Sequence, residues 1–268
     1  MFLAGIDIGS RALKAVLIKS GNGSIVSKAV IDQRHDQKKT IDLLLRKLLV
    51  GCGVKRKDVA RIVATGYGRN LVSFADQTVT EITCQAVGVR RVLPDVRTII
   101  DIGGQDTKVI FLDSAGFVRD FVTNDRCAAG TGRFLELLAE RLNVSLNTLG
   151  NLARKSRSPA AINSTCAVFA ETEIIGLLAA GTRKNDIAAG VQKSIAGRIG
   201  SMLSRNIEPL LCFTGGVALN ASMASALACA LGQDVTVARY PQLTCALGAA
   251  ILAKQQLNGQ SLNKRKTL

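Results

Sequence analysis

An apolar strand that ends in aspartate and turns through glycine occurs twice in this chain, in register. Gly5-Ile6-Asp7-Ile8-Gly9-Ser10 matches Ile99-Ile100-Asp101-Ile102-Gly103-Gly104, and Lys14-Ala15-Val16-Leu17-Ile18 matches Lys108-Val109-Ile110-Phe111-Leu112 without a gap. Asp7 to Asp101 and Lys14 to Lys108 are both 94 positions apart. Each copy reads as a β-hairpin whose return strand closes in turn-forming residues, Gly21-Asn22-Gly23 and Asp113-Ser114-Ala115-Gly116. A duplication of this kind demands two related halves.

Between the copies, Ile41, Leu44, Leu45, Leu48 and Leu49 give 40–49 a helical face, and 59–64 forms a short strand entering the turn Thr65-Gly66-Tyr67-Gly68. Downstream, 134–142, 168–180 and 187–204 have helical periodicity, Gly181 stopping the second. Leu211-Cys212-Phe213 is a strand running into Thr214-Gly215-Gly216, and Val235-Thr236-Val237 is a short strand. Strands mixed with helices on this scale make an α/β protein.

Backbone that wraps closely around phosphate needs glycine, because side chains block the approach. Gly9-Ser10 and Gly103-Gly104 supply this in two places. Asp7 and Asp101, at strand ends, suit Mg²⁺, which takes oxygen ligands and keeps its waters, so both are expected to act through water. Lys14 can neutralise phosphate charge, and Gln105 can orient an attacking water. No GxxxxGK[ST] motif is present, and Gly130-Thr131-Gly132 lacks the strand–turn–helix setting of a dinucleotide fingerprint.

Two cysteines stand apart from the other five. Cys127 and Cys166 each precede a helix-patterned segment, and neither belongs to a CxxC pair. Together they supply half of the four thiolates that an iron–sulfur cluster usually needs; if both are ligands, a two-fold homodimer is the simplest way to four. A helix start favours thiolate and an anionic cluster. Cys84, Cys212, Cys229 and Cys245 lie among apolar or small residues and are expected to be buried and inert, and Cys52 has no partner pattern. With seven cysteines and no export signal, a disulfide framework is not expected and the chain reads as cytoplasmic.

The net charge of +15 raises nucleic acid as a ligand, but Lys and Arg are scattered along the chain, Trp is absent and aromatics make up 4%. Such a composition offers no stacking platform, so the charge reads as a solvated surface drawing anionic ligands. No stretch reaches the 18 or so apolar residues of a membrane span.

The two Asp-Gly loops with Thr214-Gly215-Gly216-Val217 resemble the phosphate-1, phosphate-2 and adenosine set of the acetate/sugar kinase, heat-shock-70 and actin superfamily. The resemblance implies a duplicated ribonuclease-H-like fold with two lobes and ATP or ADP with Mg²⁺ in the cleft. Lobes are expected over 1–95 and 96–255, the second with cluster-binding helices, and a polar, disordered tail over 256–268. Longer motifs narrow it. Residues 124–134 around Cys127, 166–171 from Cys166, 64–69, and Asp101-Ile102-Gly103-Gly104-Gln105-Asp106 resemble the activators of 2-hydroxyacyl-CoA dehydratases and the ATPase subunits of benzoyl-CoA reductases. That resemblance, from about Gly5 to Ala253, implies a homodimer with one [4Fe–4S] cluster held by Cys127 and Cys166 of both protomers. It also implies an ATPase that takes one electron from ferredoxin or flavodoxin and drives it into a dehydratase-like partner. The implied catalytic set is Asp7, Asp101 and Gln105. The implied nucleotide contacts are Gly9, Ser10, Arg11, Lys14, Gly103, Gly104, Asp106, Lys108, Thr214, Gly215, Gly216, Val217 and Gly248. Arg11 departs from the family's small hydroxyl residue, and Leu243-Thr244-Cys245 departs from its usual approach to the terminal glycine. The rivals are a small-molecule (sugar) kinase of the same superfamily, which needs neither Cys127 nor Cys166, and a non-redox regulatory ATPase.

Overall fold

The computed structural model describes residues 1–124, 127–203, 208 and 210–257. Its chain forms two compact units, 1–94 with 243 onward, and 95–242. In the first, β1 (Phe2–Ile8), β2 (Ala12–Lys19) and β3 (Ile25–Asp32) form an antiparallel meander. After α1 (Gln37–Val50), β4 (Val59–Thr65) pairs with β1 in parallel, and β5 (Gln77–Thr78) pairs with β4. The sheet order is β3-β2-β1-β4-β5. α2 (Glu81–Val92) completes this part of the chain.

The second unit repeats the plan. β6 (Thr98–Ile102), β7 (Thr107–Leu112) and β8 (Val118–Asn124) form the meander, with Asp101 opposite Lys108 as Asp7 is opposite Lys14. The helices α3 (Gly132–Arg141), α4 (Leu146–Arg154), α5 (Ala167–Ala179) and α6 (Lys184–Met202) follow. β9 (Leu211–Thr214) then pairs with β6 in parallel, and after α7 (Ala221–Leu231) so does β10 (Val235–Val237) with β9. The order β10-β9-β6-β7-β8 is the same arrangement. These are the two related halves that the repeat called for, and the duplicated ribonuclease-H-like fold, α/β, that the resemblance implied.

Alternation along the first hairpin explains why its strands are apolar throughout. Ala4, Ile6, Ile8, Leu13, Ala15 and Leu17 pack in one core with Ile41, Leu44 and Leu48 of α1. Leu3, Val16, Ile18 and Val63 point the other way, into a core with Cys84 and the last helix, α8 (Thr244–Leu257). A sheet covered on both faces reads as a continuous hydrophobic run. Asp7 and Lys14 share the α8-facing side, and Asp7 is 5% exposed.

α8 lies with the first sheet, so residues from 243 onward belong to the first unit, whereas a boundary near 95 alone would assign them to the second lobe. Glycines make this packing close. A Cβ on Gly5 would come within 2.0 Å of the Ala246 carbonyl oxygen; one on Gly88 would come within 1.8 Å of that of Thr244, and one on Gly248 within 1.8 Å of that of Cys84. Thr244 donates its hydroxyl to Gln85 Oε1 at 3.0 Å inside the same contact. The expected helix end at Ser204 and the tail from 258 lie outside the described residues; at 256–257 the chain is still in α8. Among the described residues no helix is long and apolar enough to cross a membrane.

Candidate functional site

Each hairpin carries its aspartate at the open end of the sheet, against a glycine from the neighbouring parallel strand. Asp7 is level with Thr65, and Gly66 follows at φ +93°; a Cβ there would sit 2.5 Å from Asp7 Oδ1 and 2.6 Å from the Ile8 carbonyl oxygen. In the second unit Asp101 is level with Thr214, and Gly215 follows at φ +91°, where a Cβ would sit 2.6 Å from Asp101 Oδ1 and 2.3 Å from the Ile102 carbonyl oxygen. Positive φ and the missing side chain are both required at these two positions. Thr65-Gly66 and Thr214-Gly215 are thus the same device, a correspondence the sequence conceals because helices of different number and length separate each from its hairpin.

In the first loop Lys14 Nζ lies 3.0 Å from Asp7 Oδ2, both largely buried. A Cβ on Gly9 would meet Lys14 Nζ at 2.7 Å, so Gly9 keeps the ammonium beside the loop. Ser10 follows it in the turn. Arg11 is turned toward Asp32, its guanidinium 3.3 Å from that carboxylate, with both side chains well exposed. Gly68 N–H donates to the Ile8 carbonyl, and Arg69 donates to that of Gly66, tying the second turn down on β1.

The second loop is closed by Asp106. Gly103 N–H donates to the Asp106 carbonyl at 2.9 Å, a Cβ on Gly103 would collide with Asp106 Oδ1, and Lys108 pairs closely with the Asp106 carboxylate. Gln105 is exposed at its tip. Thr214 Oγ1 and Gly215 N–H both donate to the Pro241 carbonyl, at 2.6 and 3.0 Å, which fixes the third loop. Gly216 and Val217 open the 3₁₀ turn Gly216–Leu219 that leads to α7. Gly248, by contrast, is spent on the α2–α8 crossing described above.

Burial pushes the Cys84 thiol up to about 12; the Thr65 hydroxyl beside it opposes the shift and the charge of Asp7 adds to it. Burial, with the charge of Asp101, does the same to Cys212, also to about 12. Both are buried, as expected. Cys229 is exposed and Cys245 half-buried, so the expectation that all four are buried holds for two. Cys229 lies on α7, whose apolar residues are mostly small and run all round, which hides from the sequence which side faces out.

Cys127 and Cys166 are half-buried, unpaired by disulfide, and both belong to the second unit. Asn124 clasps the backbone of Cys127 from both sides, accepting from its N–H at 3.3 Å and donating to its carbonyl at 3.4 Å. The chain then makes a 3₁₀ turn (Ala128–Gly130) and enters α3. Gly132 N–H donates to the Gly103 carbonyl and Arg133 N–H to that of Gly104, each at 2.9 Å. Thr107 Oγ1 donates to the Gly130 carbonyl at 2.7 Å. Sequence reasoning missed the roles of Thr107, which stands between Asp106 and Lys108, and of Asn124, which opens the motif around Cys127.

Cys166 occupies the N-cap position of α5 without capping it through its side chain. The preceding backbone is held from that helix: Glu173 accepts from Asn163 N–H at 2.9 Å and Ser164 N–H at 3.0 Å. Arg198 on α6 donates to the Ser164 carbonyl at 2.9 Å. These bonds hold the Glu173 carboxyl below the usual carboxylate range, the Asn163 N–H most, against an opposing cost of burial. Glu171 pairs with Arg141 instead. The donor set fits an iron–sulfur cluster only in half. Among the described residues no three His, Cys, Asp or Glu come together as a metal group, and two thiols are half of what such a cluster usually takes.

The profile of the BadF/BadG/BcrA/BcrD ATPase family matches residues 4–253. The activator of lactoyl-CoA dehydratase of Anaerotignum propionicum is 44% identical over 254 residues, covering 94% of this chain and 97% of that protein. The 2-hydroxyisocaproyl-CoA dehydratase activator of Clostridioides difficile is 41% identical over 254 residues, covering 94% and 95%. The solved structure of the activator of the 2-hydroxyisocaproyl-CoA dehydratase from Clostridium difficile, with bound ADPNP, superposes with a TM-score of 0.93 at 40% identity, covering 100% of both chains.

Proposed function

The chain belongs to the BadF/BadG/BcrA/BcrD ATPase family, and from that premise we propose that it is a cytoplasmic, ATP-dependent reductive activator. It works as a homodimer holding one [4Fe–4S] cluster, and it couples ATP hydrolysis to one-electron transfer into a partner of the 2-hydroxyacyl-CoA dehydratase or benzoyl-CoA reductase type. The relatives' names support the partner class. The observation that carries the coupling is the suspension of the Cys127 turn from the Gly103-Gly104 loop by backbone hydrogen bonds.

In this reading Asp7 and Asp101 would hold Mg²⁺ through water, and the ion would supply positive charge to the phosphates. Gly9, Ser10, Gly103 and Gly104 offer backbone N–H groups to phosphate, and Lys14 and Lys108 balance its charge. Asp106 shapes the second loop from within, and Gln105, exposed at its tip, positions the attacking water. Thr214, Gly215, Gly216 and Val217 receive the adenosine. Arg11, engaged with Asp32, is close enough in sequence to Ser10 to follow it when phosphate binds. Cys127 and Cys166 of each protomer hold the cluster, which when bound supplies a one-electron store filled by ferredoxin or flavodoxin.

The test is iron and sulfide content with EPR spectra on anaerobically purified protein of known mass. About four irons per dimer are expected, lost on replacing either Cys127 or Cys166 by Ser. An iron-free protein that resists anaerobic reconstitution yet phosphorylates a sugar would establish the kinase alternative.

A further inference from the structure

The bonds around Thr107 assign it a role that no motif gives it. Thr107 is fully buried, at the start of β7, directly after Asp106 of the second loop. Its hydroxyl is committed to the Gly130 carbonyl at 2.7 Å. Its cross-strand partner on β8 is Asn124, the residue that clasps both the N–H and the carbonyl of Cys127. Gly130 also lies against Asn124, a Cβ there falling 3.1 Å from Asn124 Nδ2. The six residues from Cys127 to Gly132 are therefore pinned at three points to one strand-and-loop unit: at Cys127 by Asn124, at Gly130 by Thr107, and at Gly132 by the Gly103 carbonyl. Between the pins the chain is wound into a 3₁₀ turn in which Thr131 donates both N–H and hydroxyl to the Ala128 carbonyl. A short turn fixed this closely moves as a body with whatever holds it. Cys166 is held differently, from α5 and α6 through Glu173 and Arg198.

We propose that Thr107 and Asn124 form a latch that passes the state of the Gly103–Lys108 loop to Cys127, so that nucleotide binding is read at Cys127 and not at Cys166. Both are positioning residues: neither touches the nucleotide, and each acts through the Cys127 turn. This rests on the reading of that loop as a phosphate site.

The experiment uses the iron-free full-length protein, so that it does not depend on cluster loading. ADPNP with Mg²⁺ is titrated by calorimetry, and the alkylation rates of Cys127 and Cys166 by iodoacetamide are followed by peptide mass spectrometry with and without saturating nucleotide. In the natural protein nucleotide is expected to change the Cys127 rate by roughly fivefold, the population ratio that one net hydrogen bond sustains, and to leave Cys166 within twofold. Thr107→Val, which keeps shape and removes the hydroxyl, should bring the Cys127 ratio to about one while ADPNP still binds, and Thr107→Ser should restore it. Asn124→Ala reports on the same latch from its less buried side and should abolish the ratio even if Thr107→Val fails to fold. A natural protein that binds ADPNP with no change at Cys127, an equal change at Cys166, or an unaltered ratio in Asn124→Ala overturns the latch and leaves the phosphate site standing. Failure of ADPNP to bind at all overturns the phosphate site itself, and the latch with it.

Discussion

Seven thiols share this chain but not one environment, and their reactivities should separate accordingly. Cys84 and Cys212, raised to about 12 by burial, stay protonated at neutral pH, whereas Cys229 is exposed and Cys127 and Cys166 are partly so. Iodoacetamide at pH 8 should label the last three in the folded protein and reach Cys84 and Cys212 only on unfolding, as read by peptide mass spectrometry. The same shift has a consequence for stability. A thiol that ionises higher folded than unfolded stabilises fully below its unfolded value and loses that contribution as pH rises toward about 12. The melting temperature should therefore fall on alkaline titration above about pH 9, the ordinary thiol range, and less steeply in Cys212→Ala. Glu173 behaves oppositely. Its depressed carboxyl stabilises above the ordinary carboxylate range and loses this as acid protonates it, so Glu173→Gln should remove part of the acid sensitivity. Two basic residues of the first loop differ in the same way by burial. Lys14→Met leaves the buried Asp7 without its ammonium and should cost about 3 kcal/mol in urea unfolding. Arg11→Ala breaks the exposed pair with Asp32 and should cost about 1 kcal/mol or less.

At the scale of elements, the tightest constraint is the crossing of α2 and α8. The Gly88 and Gly248 positions have no room for a methyl group against opposing backbone, and backbone cannot yield as a flexible side chain does. Gly248→Ala should destabilise the first unit by at least about 1–3 kcal/mol, measured by thermal unfolding, with nucleotide binding weakened only as the fold loosens. The sequence concealed this helix. In α8, Ala246, Leu247, Ala249, Ala250, Leu252 and Ala253 are all buried, so no polar face marks a helical period. α7 hid for a related reason: its run of small residues carries little contrast. Of the four helices that could be read, α1, α3, α5 and α6, the first two carry distinct apolar stripes, Ile41, Leu44 and Leu48, and Phe134, Leu135 and Leu138. The hairpins were legible because their register repeats residue for residue. The loops at Thr65 and Thr214 were visible as glycine turns, but their equivalence lay in parallel pairing, which spacing does not encode. In the site, Asp7, Lys14 and the two glycine loops could be named from residue type; the roles of Thr107, Asn124 and Glu173 could not, because they lie in hydrogen bonds to backbone brought near by folding.

For the whole molecule, sharing a cluster through Cys166 would place the first turn of α5 beside a second copy. Val168 and Phe169 there are 67% and 70% exposed, and Ile175 lies along the same side of the helix. Phe169→Glu should then shift the mass measured by light scattering of anaerobic protein toward monomer while leaving the melting of the isolated chain unchanged, since the side chain buries little within it. The position of α8 bears on a quite different stage in the protein's life. Residues 95–242 form one unbroken unit, but the first sheet is covered on one face by a helix that follows that unit in sequence. On the ribosome the middle of the protein can therefore finish folding first, while Leu3, Val16, Ile18 and Val63 wait, uncovered, until residues 244–257 clear the exit tunnel. A nascent chain stalled before that point offers a hydrophobic sheet to chaperones or to its neighbours.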